Sequence, residues 1–294
     1  MSQVIVTGAS SQIGVFLLPR LAASGHRVLA ISRQAADHDD GVSWLRGDIT
    51  DDFRWPQGEA LVHIAPLVLL PEMLPGFAAA GGRRVVCFST TSRHSKAKSD
   101  DPRERAFAAH VDAAERQVAA RCGELGLRWT LFRPTLIYGC ERDRNVTLIA
   151  RKIRRFGFFP LLGQARGLRQ PVHADDLAAA CAAVLDGQAP QYLDKAYDLV
   201  GGETLEYREM VRRIFIALGR RPRFLVLPQA AFAVALRMLA LLPRFRDFSP
   251  QMARRMGVDL VFDAAAAAND FGYAPRPFQP EFPGLLGLEK TERV

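Results

Sequence analysis

Two glycines near the N-terminus, with serines between them, are the residues of this chain best suited to bind a phosphate. Residues 4–14 read VIVTGASSQIG, so that Gly8 follows a β-branched run and Gly14 precedes the apolar stretch 15–18. The free backbone N–H groups and the positive dipole end of a helix N-terminus suit a pyrophosphate. Glycine at position 8 permits a sharp turn, and the pattern therefore predicts a phosphate-binding loop between a strand and a helix.

The segments that must position this loop alternate between strand and helix patterns. Up to Arg133, strands are predicted over 4–6, 27–31, 44–48, 60–65, 84–89 and 128–133, and helices over 15–24, 72–80 and 100–123. Beyond Gly139, helices are predicted over 145–156, 175–185 and 205–218, strands over 171–173 and 197–200, and a loop over 157–170. This order predicts an α/β fold with a doubly wound parallel sheet.

The chain is basic, with 39 Lys and Arg against 31 Asp and Glu and a net charge of +8. A basic surface attracts nucleotides, phosphorylated lipids or anionic membranes. Nucleic acid is not predicted as a partner, because basic and aromatic residues are not interleaved.

The four cysteines do not have the spacing of a metal site or of a redox pair. Cys87, Cys122, Cys140 and Cys181 are scattered along the chain, so we expect reduced thiols, no bound metal and a cytoplasmic location. Because the first predicted strand begins at Val4, we expect no signal peptide.

An apolar stretch at 229–242, QAAFAVALRMLALL, allows two interpretations. It is too short to span a bilayer, and a helix packed on the protein is the simpler interpretation. The alternative is an interfacial helix that contacts a membrane peripherally, flanked by arginines at 220, 221, 223, 244 and 246. In that case the substrate would be a lipid-linked sugar.

Six motifs in order resemble the extended and atypical short-chain dehydrogenase/reductases, in their NAD(P)-dependent epimerase/dehydratase branch. They are TGASSQIG at 7–14, LRGDITD at 45–51, ALVHIAP at 60–66, FSTTS at 88–92, LFRPTLIYG at 131–139 and QPVHADDLA at 170–178. The resemblance implies a Rossmann domain over 1–200 that binds NAD or NADP. Residues 140–169 would be inserted in it and contribute to the substrate lobe, and 201–294 would form a smaller C-terminal substrate lobe.

The resemblance also assigns cofactor contacts, residue by residue. The pyrophosphate would be wrapped by Gly8, Ser10, Ser11, Gln12, Ile13 and Gly14. The adenine would lie between Asp48 and Ile49, and Ala65 and Pro66 would line the groove beside the ribose and nicotinamide. The nicotinamide amide would lie near Pro134, Thr135 and Leu136.

The end of the second strand favours NADP(H) over NAD(H). Members that use NAD usually carry an acid there, which binds the ribose 2′-hydroxyl, whereas this chain has Ser32 and Arg33 and no acid before Asp37. A hydroxyl and a guanidinium suit a 2′-phosphate.

The chain departs from the family at the catalytic pair. Members use Tyr-x-x-x-Lys, in which the lysine lowers the tyrosine pKa. Counting back from Glu115, which matches the family's glutamate, the two positions hold Phe107 and Val111. Thr91 matches the family's Ser/Thr position.

Other polar residues could replace the missing pair. His110 and Lys96 are the candidates for proton transfer, although each could equally be a solvated side chain. His63, within the fourth strand, is interpreted as a core histidine. Arg144 and Arg169 fall where related enzymes bind the diphosphate of a sugar nucleotide, and guanidinium groups suit that ligand.

Two functions follow from these observations. The first is an NADP(H)-dependent oxidoreductase or epimerase that acts on a nucleotide- or lipid-linked sugar, with Thr91 orienting the substrate. The second is a catalytically degenerate module that holds NADP(H) for structure or sensing. An apolar plug formed by Phe107 beside the nicotinamide would favour the second.

Overall fold

The structure is a computed structural model that describes residues 2–33, 41–50, 53–187, 190–228 and 255–285. The chain forms two compact units. The first comprises Met1–Thr135, Val172–Val200 and Phe262–Pro275, and the second comprises Leu136–Pro171, Gly201–Val261 and Arg276–Val294. The apolar stretch 229–242 lies outside the described residues.

Strands and helices alternate along the chain. The first half contains β1 Gln3–Thr7, α1 Gln12–Ala23, β2 Arg27–Ser32, β3 Val42–Arg46, β4 Ala60–His63, α2 Leu70–Ala79, β5 Arg84–Phe88, α3 Ser92–Ala97, α4 Pro102–Glu124 and β6 Arg128–Pro134. The second half contains β7 Ile137–Tyr138, α5 Val146–Phe156, β8 Phe159–Leu162, β9 Leu168–Arg169, β10 Val172–His173, α6 Ala174–Asp186, β11 Lys195–Leu199, β12 Leu205–Glu206, α7 Tyr207–Ala217, β13 Phe224–Leu227 and α8 Ala265–Phe271.

A seven-stranded sheet forms the centre of the first unit, in the order β11-β6-β5-β4-β1-β2-β3. Every pairing in it is parallel. Val4, Ile5 and Val6 of β1 are fully buried, as expected for a strand covered on both faces. The strand order reverses between β1 and β4, and the carboxyl ends of strands at such a reversal form the usual ligand-binding crevice of this architecture. The predicted doubly wound Rossmann sheet is confirmed.

Several element boundaries differ from the sequence prediction. Strand β3 begins at Val42 and ends at Arg46, two residues earlier than predicted. The polar segment 92–97, which lies outside the predicted strands and helices, is helix α3, which packs against α4. The predicted loop 157–170 contains β8 and β9, which pair with β13 and β12. These elements are short and lack periodic apolar residues, so their structure depends on distant partners.

The second unit has an apolar core of its own. Helix α5 buries Val146, Ile149, Ala150 and Ile153, which recur at the spacing of one helical face. These side chains pack with fully buried phenylalanines of β8 and α7 and with Phe278. The helix ends at Gly157, whose φ of 76° is the left-handed conformation that glycine adopts without strain.

Candidate functional site

A cavity of about 770 Å³ opens at the carboxyl ends of the sheet strands in the first unit. Its volume is within the range of small-molecule sites. Most of the predicted cofactor residues line it: Gly8, Ser10, Ser11, Ser32, Arg33, Asp48, Ile49, Ala65 and Pro66. Ile31, Gly47, Thr50, Ile64 and Leu69 complete its wall. Gly47 and Thr50 belong to the LRGDITD motif, and that motif is the signal that could have identified them.

The glycine loop is held in one conformation by its own contacts. Gly8 has φ +68°, and a Cβ placed there would lie 2.6 Å from the backbone nitrogen of Ala65. The Ser11 side chain caps α1, its Oγ accepting a hydrogen bond from the Gly14 N–H at 3.2 Å. Ser11, the residue that caps α1, therefore lies in the cavity wall and brings the N-terminal end of this helix next to the cavity, a position that favours an anionic group.

Gly14 serves the loop itself and does not line the cavity. A Cβ at this position would lie 1.9 Å from the carbonyl oxygen of Ala9. Glycine is thus required at position 14 because of a close backbone approach inside the loop. Gln12 and Ile13 are also absent from the lining, and Ile13 is buried in the core.

A polar corner lies where β2 and β3 end. The Asp48 carboxylate accepts hydrogen bonds from the Thr50 hydroxyl at 2.7 Å and the Thr50 N–H at 3.0 Å. These bonds, with a smaller contribution from the positive charge of Arg33, hold the pKa of Asp48 below its usual value. Arg33 is exposed and Ser32 is half-buried, so both side chains are accessible from the cavity.

His63 lies at the end of β4 and is fully buried, as the sequence predicted. Its Nδ1 is 2.8 Å from the Thr7 hydroxyl, and its Nε2 is 3.2 Å from the carbonyl oxygen of Pro66. Burial lowers the pKa of His63 to about 4. The neutral ring therefore ties the end of β1 to the Ala65–Pro66 wall of the cavity.

The structure places Thr91 beside Pro134, joining a predicted catalytic residue to a predicted cofactor residue. The hydroxyl of Thr91, which is 4% exposed, donates to the Pro134 carbonyl at 3.1 Å, and its N–H donates to the same oxygen at 3.2 Å. Pro134 ends β6, and Thr135 N–H donates to Leu199 at the end of β11. Pro134, Thr135 and Leu136 do not line the cavity.

The position of the family tyrosine is occupied by a partly exposed ring. Phe107 on α4 is 41% exposed, and the Lys96 ammonium lies 4.0 Å from the centre of its ring. Val111, at the lysine position, is buried. His110 is exposed on α4.

A buried carboxylate joins α3 and α4 to the sheet. Glu115, 6% exposed, accepts from Arg133 a hydrogen bond that Nε–H shares between both carboxylate oxygens and a second one from Nη2. It also accepts from the Ser89 hydroxyl and from Arg93. Burial alone would raise the pKa of Glu115, but the hydrogen bonds from Arg133 and Ser89 outweigh it and hold the pKa below its usual value. From the sequence, Glu115 served only as the position from which 107 and 111 are counted, and no role was predicted for it.

In the second unit, the two predicted substrate arginines differ. Arg144 is exposed. Arg169 is 4% exposed, and its guanidinium donates to the carbonyls of Leu168, Val258 and Arg255. Because several of its N–H groups bond to backbone oxygens, this placement favours a structural role for Arg169 over contact with a diphosphate.

The cysteines and acidic residues form no further site in the described part of the chain. All four cysteines are free, and those at 87, 122 and 181 are buried. Burial raises the pKa of the Cys122 thiol to about 12. Across the described ranges, histidine, cysteine, aspartate and glutamate side chains form no group of three or more that could hold a metal ion. No described helix is long and apolar enough to cross a bilayer.

Comparison with known proteins gives consistent matches. The model of the NAD dependent epimerase/dehydratase family matches residues 4–65 and 71–196. A 2-alkyl-3-oxoalkanoate reductase of Stenotrophomonas maltophilia is 26% identical, over 93% of this chain and 95% of the relative. A subunit of Arabidopsis thaliana mitochondrial NADH dehydrogenase, 1 alpha subcomplex subunit 9, is 32% identical over 38% of this chain and 26% of its own length.

Among solved structures, MoeE5 in complex with UDP-glucose and NAD has a similar fold. The TM-score is 0.72 at 19% identity, and the match covers 99% of this chain and 100% of MoeE5. At that identity the similarity establishes the architecture.

Proposed function

The chain belongs to the NAD-dependent epimerase/dehydratase family, and on that premise we propose that it is an NADP(H)-dependent oxidoreductase or epimerase. Its substrate is a nucleotide- or lipid-linked sugar. The similar fold of a protein that binds UDP-glucose with NAD supports a sugar nucleotide. A lipid-linked sugar would require the chain to reach a membrane surface.

The observation that carries the proposal is the cavity at the strand reversal. A glycine loop, the N-terminus of α1 and the ends of β2, β3 and β4 surround it. Neither glycine of the loop leaves room for a side chain, so the sequence fits this one tight loop conformation beside the cavity. A nicotinamide dinucleotide bound there supplies or accepts the hydride of the reaction.

The preference for NADP(H) rests on Ser32 and Arg33. Both line the cavity, and Arg33 is exposed at its edge, where its guanidinium would bind a 2′-phosphate. The Asp48 carboxylate lines the same cavity and stays ionised, because the hydrogen bonds from Thr50 lower its pKa. The positive charge of Arg33 acts on that carboxylate, and a bound 2′-phosphate would compete with it for the guanidinium.

Thr91 and Lys96 have different roles in place of the missing tyrosine and lysine. The Thr91 hydroxyl donates a hydrogen bond to the Pro134 carbonyl, so the Thr91 oxygen can accept a hydrogen bond from a substrate hydroxyl. The ammonium of Lys96, held over the Phe107 ring, is the candidate proton donor. His110 is the alternative donor, exposed on α4.

Reduction of a 3-oxo acid is a second candidate reaction. The oxoalkanoate reductase matches this chain over nearly its whole length, which supports a carbonyl substrate with an alkyl chain. That reaction uses the same groups, because a hydride reaches the carbonyl carbon and a proton must reach the oxygen.

A binding-only module remains the competing function. The partial match to a subunit of mitochondrial NADH dehydrogenase and the apolar residues at positions 107 and 111 support it. The placement of Phe107 argues against it, because this ring does not line the cavity and instead contacts the Lys96 ammonium.

The test is turnover of NADPH with a 2-alkyl-3-oxoalkanoic acid, and interconversion of UDP-glucose with NADP⁺ present. We expect Lys96→Met to lower kcat at least about tenfold, or roughly 1.4 kcal/mol, with the Kd for NADPH unchanged. Lys98→Met, two residues further along the chain, is the matched control and should retain full turnover.

Two results would contradict the proposal. Equal turnover in Lys96→Met and Lys98→Met would remove Lys96 from the chemistry. Tight NADPH binding without turnover of either substrate would replace the enzyme by the binding module.

A further inference from the structure

Strand β13 exposes apolar side chains on the second unit. It pairs in parallel with β8, with Phe224 opposite Phe159 and Leu227 opposite Leu162. Leu225 is 48% exposed and Val226 is 43% exposed, whereas the ring of Phe224, the first residue of β13, packs on Phe215 of α7 at 5.7 Å. Because successive side chains of a strand point to opposite faces, Leu225 and Val226 expose apolar surface on opposite sides of β13.

Exposed arginines lie on the segments next to β8 and β13. They are Arg151 and Arg155 on α5, which precedes β8, and Arg221 and Arg223, which precede β13. The Phe159 N–H donates to the Arg223 carbonyl at 2.9 Å, which joins the two basic segments. Neither the stretch 145–170 nor the stretch 219–228 contains an aspartate or a glutamate. The charge is therefore not balanced by carboxylates from these segments.

Two aromatic rings lie between the basic segments. Phe156 and Phe158 are half-buried, and their ring centres are 6.3 Å apart. The Arg155 guanidinium lies 5.3 Å from the centre of the Phe156 ring. Aromatic and aliphatic side chains interspersed with arginines, without acids, are the composition of surfaces that bind at the headgroup level of a bilayer.

We propose that this basic–apolar face, made of Arg155, Phe156, Phe158, Arg221, Arg223 and Leu225, binds the surface of an anionic phospholipid bilayer. The arginines meet the lipid phosphates, and the phenylalanines and Leu225 enter the boundary between headgroups and acyl chains. Contact is shallow, because β13 pairs with a single strand among the described residues and an unpaired backbone edge is not tolerated in hydrocarbon.

The sequence that follows β13 is also apolar. The chain continues from Pro228 into the apolar stretch 229–242, which contains one charged residue, Arg237. The arginines would attract either an anionic lipid surface or a nucleic acid, but the exposed aliphatic residues and this continuity favour the lipid surface. The proposal does not depend on which substrate the first unit takes.

Flotation of the full chain with vesicles tests the proposal. Vesicles of phosphatidylcholine alone are compared with vesicles that also contain phosphatidylglycerol. We expect binding to the anionic vesicles and little to the neutral ones. The double variant Arg221→Glu/Arg223→Glu should bind at least about 25-fold more weakly, at about fivefold per arginine removed. Leu225→Ser/Val226→Ser should also weaken binding.

A matched control separates this face from the net charge. Arg27→Glu/Arg103→Glu changes the same number of charges at exposed positions of the first unit and should bind like the parent. As a second readout, Leu225→Trp should shift its emission to the blue with anionic vesicles, whereas Trp placed at the exposed Val15 should not.

The outcomes are distinguishable. Equal loss of binding in both arginine variants, or no binding to anionic vesicles, would overturn the proposal. A concentration-dependent dimer that Leu225→Ser/Val226→Ser abolishes would show instead that a second copy covers the face, and would also overturn it.

Discussion

The buried histidine of β4 makes the folding stability of the first unit depend on pH. His63 is enclosed, with the Pro66 carbonyl facing Nε2 and the Thr7 hydroxyl facing Nδ1. Nε2 must carry the proton to donate to a carbonyl, so the neutral ring has its Nδ1 free to accept from the hydroxyl. Protonation of His63 would place a positive charge in the core. Neither hydrogen-bond partner of the ring is a carboxylate that could balance this charge.

The sign and size of the effect follow from the pKa. Burial lowers the pKa of His63 to about 4 in the folded state, from 6.5 when it is exposed. The unfolded chain therefore binds more protons between these values, and stability falls as the pH falls from 6.5 to 4. At 1.36 kcal/mol for each pH unit, the full effect is about 3 kcal/mol, and about 2 kcal/mol is lost between pH 7 and pH 5.

Urea unfolding of parent and His63→Gln at pH 7 and pH 5 measures this contribution. The glutamine amide can still donate to Pro66 but does not titrate. Both proteins contain the same carboxylates, so the carboxylate contribution cancels when the loss of stability in the variant is subtracted from the loss in the parent. We expect the parent to lose about 2 kcal/mol more than the variant. His110→Gln, at an exposed position of α4, should behave like the parent.

An equal loss of stability in the parent and in His63→Gln would refute the reasoning. It would mean that the ring is reached by water or is protonated in the folded state, and that the Thr7–His63–Pro66 connection does not depend on a neutral imidazole.

Four further variants test the site. Arg33→Ala should weaken NADPH binding by about 1.5–3 kcal/mol and leave NADH binding nearly unchanged in a nicotinamide fluorescence titration. Arg27→Ala, at the other end of β2, is the control. A parent protein that prefers NADH would contradict the assignment. Gly14→Ala places a Cβ 1.9 Å from the Ala9 carbonyl, so the loop must deform; we expect at least about tenfold weaker cofactor binding and about 1–3 kcal/mol lower stability, and unchanged binding would show that the loop is not a phosphate site. Thr91→Val removes a buried hydroxyl and should lower turnover about tenfold at a stability cost of about 1 kcal/mol, whereas full activity would exclude Thr91 from the site. Glu115→Gln removes the buried carboxylate partner of Arg133, which keeps the more distant Asp198 at 3.6 Å, and should cost about 3 kcal/mol in urea unfolding. A loss below about 1 kcal/mol would show that solvent or Asp198 compensates.

The sequence by itself determined the strand, glycine turn and helix at the N-terminus and the parallel order of the sheet. Both are encoded locally, because β-branched runs such as Val4–Val6 form strands and a glycine permits the turn that follows. The motifs also selected most residues of the cavity wall, since the carboxyl ends of parallel strands meet at one edge. Local patterns thus carried the prediction wherever backbone conformation and strand order decide the structure.

The tertiary structure decided what each polar side chain contacts. Arg169 has the composition of a ligand-binding residue, but its guanidinium is occupied by carbonyls that lie up to 89 residues away in sequence. Lys96 and Phe107 meet because a helix forms in a segment without apolar periodicity, and Glu115 became a buried centre of charge through Arg133 of a neighbouring strand. Hydrogen bonds and ion pairs join residues distant in the chain, so their partners are fixed only when the elements pack, and periodicity carries no information about them.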